Sequence, residues 1–415
     1  MSLRDKHLGV VTHWSSTLKV SGIRLKPAFR VFWPWLLLGF CSCAPKGGAL
    51  VCREFEAPSL SGNRFGISAR QELVVYLPPS YRNGARRFPV LYFLPNFDNI
   101  VQRYTGGSYQ GFRLKDAMDR QIRRGAAQEV IVVVPNAHHF LGGSWYRNSP
   151  LTGNWEDYVV KDVVGYMDRH FRTIPAGAGR GLAGPGMGGT GALELALKHP
   201  DLFSAVYALS PALFDQDGLK DSGILNERQM TQWQAKTALW ASQDEAAQRR
   251  GFRDYVQARL NSPSRATFWE GLSVSYAAAM APDLASPYPH IAFPVPGKPV
   301  ESQAALLGKY ESGFGGWSGK LSEYRARGHS LTMITLEDGG EGDFPWIRRG
   351  VAYVAGLMRS QGMAVSVAAH SGGHESGLGQ RLETAMLPTM ANALQGAVPA
   401  QASSLAGASA PRHRD

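Results

Sequence analysis

The sequence predicts an α/β fold, a doubly wound and mostly parallel sheet interrupted by one large helical insertion. Three observations lead there. Short apolar runs recur along the chain, among them Glu72 to Leu77 (ELVVYL), Pro89 to Leu94 (PVLYFL) and Glu129 to Val134 (EVIVVV). The last two are continuous rather than alternating, as strands buried on both faces are. Amphipathic stretches with helical spacing lie between several of them. The composition, 44% hydrophobic and 19% charged over 415 residues, suits a large core.

Element by element, the first run stops at Pro78-Pro79, which cannot continue a ladder. Leu114 to Arg124 has apolar residues at helical spacing. Glu156 to His170 places Tyr158, Val159, Val163 and Met167 on one face, in line with Phe171. Gly188 to Lys198 reads as a helix that begins on glycines. Ala205 to Leu209, Thr332 to Leu336 and Ala364 to Ala368 extend the strand series. Residues 216–321 break the rhythm with helical segments (Arg228 to Trp240, Glu245 to Leu260) and proline-rich loops (Pro282 to Pro299). This stretch is expected to lie over the sheet as an insertion, in the manner of a lid.

At the N-terminus, Lys19, Arg24, Lys26 and Arg30 precede the apolar run Val31 to Phe40, and small residues follow. That is the pattern of an export signal, and the run is too short to span a bilayer comfortably. The expectation is an exported protein, periplasmic, secreted or envelope-associated, with no integral membrane domain. Lipidation at Cys43 and a retained N-terminal anchor are the alternatives. The expected organisation is an export signal and linker over 1–52, a globular domain over 53–394 and a disordered tail over 395–415.

The three cysteines, Cys41, Cys43 and Cys52, all fall at the N-terminus. They make no disulfide framework, and no histidine or carboxylate is spaced to join them on a metal. No cofactor or metal is expected. The net charge of +11 is spread in small clusters such as Arg86-Arg87 and Arg123-Arg124. No basic helix or nucleic-acid module accompanies it, so nucleic-acid binding is not expected.

The segment Arg180 to Pro211 is the most informative. A short strand leads into Gly184-Pro185-Gly186-Met187-Gly188-Gly189, and a helix follows. Outer glycines allow a strand and a helix to pack closely through a sharp turn, and the central residue then points into a site. The amide of the next residue, Met187, sits at the helix start, where it would donate to an oxyanion.

These residues resemble the esterase family of S-formylglutathione hydrolases, feruloyl esterases and mycolyltransferases, which carry G-x-S-M-G-G and then H-P-x-x-F. His199-Pro200-Asp201-Leu202-Phe203 is similar to that tail. Val75 to Tyr81 (VYLPPSY), Pro89 to Leu94 and Asn148 to Tyr158 (NSPLTGNWEDY) are similar to further motifs of the family. The resemblance spans about residues 65 to 395 and implies an α/β-hydrolase fold with carboxylic ester hydrolysis as the family activity.

Two departures stand out. Gly186 replaces the nucleophilic serine, and glycine has no side chain with which to attack a carbonyl. The family's His-Gly after the first core strand is Pro95-Asn96, and Phe97 would offer the second oxyanion N–H. Downstream, Gly372-Gly373-His374 resembles the loop of the catalytic histidine, with His370 as the alternative. Gly340-Glu341-Gly342-Asp343 fits the acid's G-x-x-D and names Asp343. A register one residue earlier places Gly342 there, and Asp338 and Glu341 are fallbacks.

Trp145, Tyr146, Trp155 and Trp346 are expected in loops rimming a pocket for an aryl or lipid group, with core packing as the plain alternative. His138 and His139 are adjacent and read as structural. The expected function is an esterase-like protein that has lost serine chemistry and binds a small ester or acyl ligand. The alternatives are a hydrolase in which His374 and Asp343 activate water, and an interaction protein of the cell envelope.

Overall fold

The computed structural model describes residues 47–338 and 344–397. Eight strands form the main sheet: β1 (Ala49–Glu56), β2 (Arg70–Leu77), β3 (Val90–Phe93), β4 (Ile131–Pro135), β5 (Arg180–Pro185), β6 (Ala205–Leu209), β7 (Met333–Glu337) and β8 (Ser366–Ala368). Their spatial order is β1-β2-β4-β3-β5-β6-β7-β8. β1 and β2 pair antiparallel, β2 joins β4 antiparallel, and every pairing from β4 to β8 is parallel. This is the mostly parallel sheet of an α/β-hydrolase fold.

The continuous apolar runs follow from burial on both faces. On one face Val75, Tyr92, Val133, Leu182 and Val206 pack in the larger core. On the other, Tyr76, Leu91, Val132, Ala183 and Tyr207 pack against α1 (Leu114–Arg123) and the C-terminal helices. The larger core also takes in α3 (Met187–Lys198), which follows α2 (Val164–His170) in the chain.

Between β6 and β7 the chain leaves the sheet. It forms α4 (Glu227–Ala241), α5 (Glu245–Asn261), α6 (Arg265–Met280), α7 (Ala304–Phe314) and α8 (Trp317–Ala326). The sequence pattern missed α6 because Gly271 to Ala279 are buried all round, which leaves no amphipathic period. Its start is fixed by a capping box between Ser264 and Thr267. After β7 come α9 (Pro345–Ser360), α10 (Leu378–Arg381) and α11 (Leu387–Ala397).

Two boundaries differ from expectation. Residues 49–52, placed in the linker, begin edge strand β1, and Cys52 is an exposed member of it. The strand was illegible because Phe55 is its one buried residue, so apolar and polar positions do not alternate along it. Helix α11 runs to Ala397, past the expected start of the tail. Cys41, Cys43 and the export pattern lie outside the described residues. Among the described residues, no helix is long and apolar enough to cross a membrane.

Candidate functional site

The turn between β5 and α3 is built by close approach. A Cβ on Gly184 would lie 2.3 Å from the Leu94 carbonyl oxygen, and one on Gly188 would lie 1.9 Å from it. Only hydrogen fits at either position, so the end of β3 is drawn against the turn. Gly186 sits between them at φ 51°, ψ −116°, a region that side chains rarely occupy. Its amide donates to the Leu209 carbonyl at 2.9 Å, which holds the turn against β6.

The Phe97 and Met187 amides converge on one point. That point is the side-chain oxygen of Asn96, which accepts from Phe97 N–H at 2.8 Å and from Met187 N–H at 2.9 Å. Asn96 is itself fixed by its own amide, which donates to the Tyr104 hydroxyl at 3.0 Å. A Cβ built on Gly186 would fall 2.2 Å from Asn96 Oδ1 and 2.8 Å from its Cγ. Sequence reasoning marked Pro95-Asn96 as a departure but not this contact. The signal available was a carboxamide standing where the family has no side chain.

A cavity of about 600 Å³ opens over this point. Its floor includes Asn96, Phe97, Gly186 and Met187, and the insertion supplies Ile224, Phe268, Trp269, Leu272 and Phe314. Trp145 stacks on Phe97 at 5.2 Å, and its indole N–H donates to Ser275 Oγ at 3.0 Å, tying the floor to α6. Trp145 and Tyr146 take φ values of 54° and 53°, strain of the kind that collects at functional sites.

The predicted aromatic rim is partly corrected. Trp145 and Trp346 line the cavity, Trp346 from helix α9 rather than from a loop. Tyr146 is buried away from it, its hydroxyl donating to the Pro95 carbonyl at 2.9 Å. Trp155 is fully buried at the head of a short helix, its indole N–H on the Thr152 carbonyl at 2.9 Å. Both rings fill core volume, as large aromatic side chains commonly do.

His374 lines the same cavity, with the Phe344 ring edge-on at 5.1 Å. Its loop is held from outside. Arg381 donates to the His374 carbonyl at 2.9 Å and to buried Glu337 at 2.7 Å, and Tyr207 O–H donates to the other Glu337 oxygen at 2.6 Å. Gln110 donates to the Glu375 carbonyl at 2.6 Å. His370 is not among the cavity-lining residues. Asp343, Glu341 and Gly342 lie outside the described residues. Asp338 is buried beyond the end of β7, with Arg348 Nε at 3.8 Å.

His139 is buried and structural in its surroundings, accepting from Leu141 N–H at 3.2 Å; burial lowers its pKa to about 3. Among the described residues, no three His, Cys, Asp or Glu side chains group as a metal site.

Sheet order, strand-turn-helix elbow and overlying cavity together define an α/β-hydrolase-fold domain. Residues 67–265 match the model of the family described as Putative esterase, and that segment belongs to the family. Esterases of two Mycobacterium tuberculosis strains are each 33% identical over 180 residues, 41% of this chain. The match spans 36% of each relative's length. Among solved structures, a ferulic acid esterase superposes with a TM-score of 0.51 and 18% identity, over 84% of this chain and 99% of its own, a likeness of fold.

Proposed function

We propose that this protein is an esterase-like member of its family that binds a small acyl or ester ligand and does not cleave it by serine chemistry. The observation that carries the reading is the residue at the elbow. Gly186 holds the turn and presents no atom that could attack a carbonyl carbon. Among the described residues lining the cavity, the one hydroxyl belongs to Ser376, which accepts from Gly373 N–H at 2.9 Å on a loop. The cavity above remains large and walled by aromatic and aliphatic groups, the composition of a small-molecule site. The charged and then apolar N-terminal pattern supports an exported location.

A second reading has His374 and Asp343 activating water, and it is favoured by the position of His374 on the cavity wall. One experiment separates the two. The full chain is assayed for p-nitrophenyl acetate hydrolysis, and its thermal midpoint is followed with aryl and acyl carboxylates. The expected outcome is background turnover and a midpoint that rises with ligand concentration, since a ligand of the folded state stabilises it. Turnover above background that His374→Ala abolishes would establish the second reading instead.

A further inference from the structure

Taking the turn at Gly186 as an esterase elbow, we infer that Asn96 is an internal substitute for the substrate carbonyl: its side-chain oxygen closes the oxyanion hole, and Asn96 and Gly186 form one coupled lock. The argument starts from donor geometry. Two backbone N–H groups aimed at a single point are what an acyl oxygen needs as it gains negative charge. Here both are satisfied, at 2.8 and 2.9 Å, by a carbonyl oxygen tethered to the chain. Asn96 is only 8% exposed, so the contact lies in a shielded site. A tethered acceptor competes with a free one at a high effective concentration, which keeps substrate oxygens out.

The same oxygen also decides position 186. With a Cβ contact of 2.2 Å, any side chain there excludes Asn96 from its present rotamer. The missing serine and the filled hole are therefore one structural fact. Restoring the hydroxyl alone forces the Asn96 carboxamide off the two donors and leaves it displaced within the cavity it lines, where it obstructs the acyl group. Shortening Asn96 alone opens the hole beneath a position that has no nucleophile. Only both changes together give a hydroxyl, an open pair of donors and a cavity for the acyl group.

The step this pair would perform balances without an external reagent. The serine oxygen introduced by Gly186→Ser bonds to the ester carbonyl carbon, and its proton passes to His374. The carbonyl oxygen, charged in the tetrahedral state, takes the Phe97 and Met187 N–H bonds. The carbonyl then re-forms as the bond to p-nitrophenolate breaks. His374 gives up its proton to solvent and takes one from the water that adds to the acyl carbon. The bond to the serine oxygen then breaks, that oxygen recovers a proton from His374, and acetic acid leaves and ionises.

The test uses the full chain as wild type, G186S, N96A and N96A/G186S, each assayed on p-nitrophenyl acetate and melted to establish folding. The expected result is that the double variant exceeds G186S by at least about 100-fold, the scale of an oxyanion donor's contribution. Wild type and N96A remain at background. G186S matching the double variant overturns the inference, and so does a folded double variant no faster than G186S. Amide hydrogen exchange gives a readout free of activity: in N96A the Phe97 and Met187 amides should exchange at least about tenfold faster, and unchanged rates overturn the inference. Turnover by the wild type would strike the proposed function, while the ratio of double to single variant still decides the role of Asn96.

Discussion

Placing a methyl group on Gly186 offers a direct measure of how tightly the elbow is locked. Two costs add in Gly186→Ala. The backbone at φ 51°, ψ −116° charges a side chain of order 1–3 kcal/mol in strain. The new Cβ also meets Asn96 Oδ1 at 2.2 Å and Cγ at 2.8 Å, and an alanine has no rotamer that escapes. Asn96 must swing away, and the two buried N–H groups it serves lose their acceptor, at roughly 1–3 kcal/mol each. The single substitution should thus cost at least about 3 kcal/mol. In an Asn96→Ala background the donors are already released, so Gly186→Ala should add only the strain, about 1–3 kcal/mol. A double-mutant cycle, read by urea unfolding of the four proteins, should therefore show a coupling of about 2 kcal/mol or more. Additivity within about 0.5 kcal/mol would refute the contact as the source of the cost.

Other expectations follow from groups around the site. Arg381→Leu leaves the Glu337 carboxylate, 3% exposed, without its ion pair, and should cost about 3–5 kcal/mol in thermal unfolding. Arg381→Leu combined with Glu337→Leu should recover most of that, and the single variant should also admit protease into the 370–377 loop. Burial holds the His139 pKa at about 3, below its unfolded value of 6.5. Its contribution is complete above pH 6.5 and erodes as pH falls toward 3, by up to about 1.4 kcal/mol per unit. His139→Asn should flatten the acid limb of a stability-against-pH curve from pH 6.5 downward. Burial raises the Glu156 pKa, but the His199 hydrogen bond and Lys198 outweigh it and hold the group at about 2. Its stabilisation is present above pH 4.5 and lost between about 4.5 and 2, so Glu156→Gln should lose less stability than wild type across that window.

The parallel strands were legible because a strand packed on both faces cannot alternate, and PVLYFL and EVIVVV do not. The elbow was legible for a steric reason, since Gly184 and Gly188 stand where the Leu94 carbonyl leaves room only for hydrogen. Edge strand β1 was not, because exposure removes the pattern, and α6 was not, because complete burial removes it too. Local sequence could not sort the aromatic residues. Trp145 and Tyr146 are neighbours with nearly equal φ, yet one faces the cavity and the other fills the core beneath Pro95. Asn96 was visible as a departure, but that its oxygen reaches an amide 91 residues away depends on how β3 and α3 meet.

The cavity joins two parts of the chain that tolerate change very differently. Its floor is set by main chain pressed on main chain at Leu94, Gly184 and Gly188, where a single added carbon has no place to go. Its roof is made of side chains on α6 and its neighbours, Phe268, Trp269 and Leu272 among them, none of which belongs to a strand of the sheet. On the proposed reading, the roof sets which molecule fits, while the floor decides only whether its carbonyl meets a free donor or one already taken.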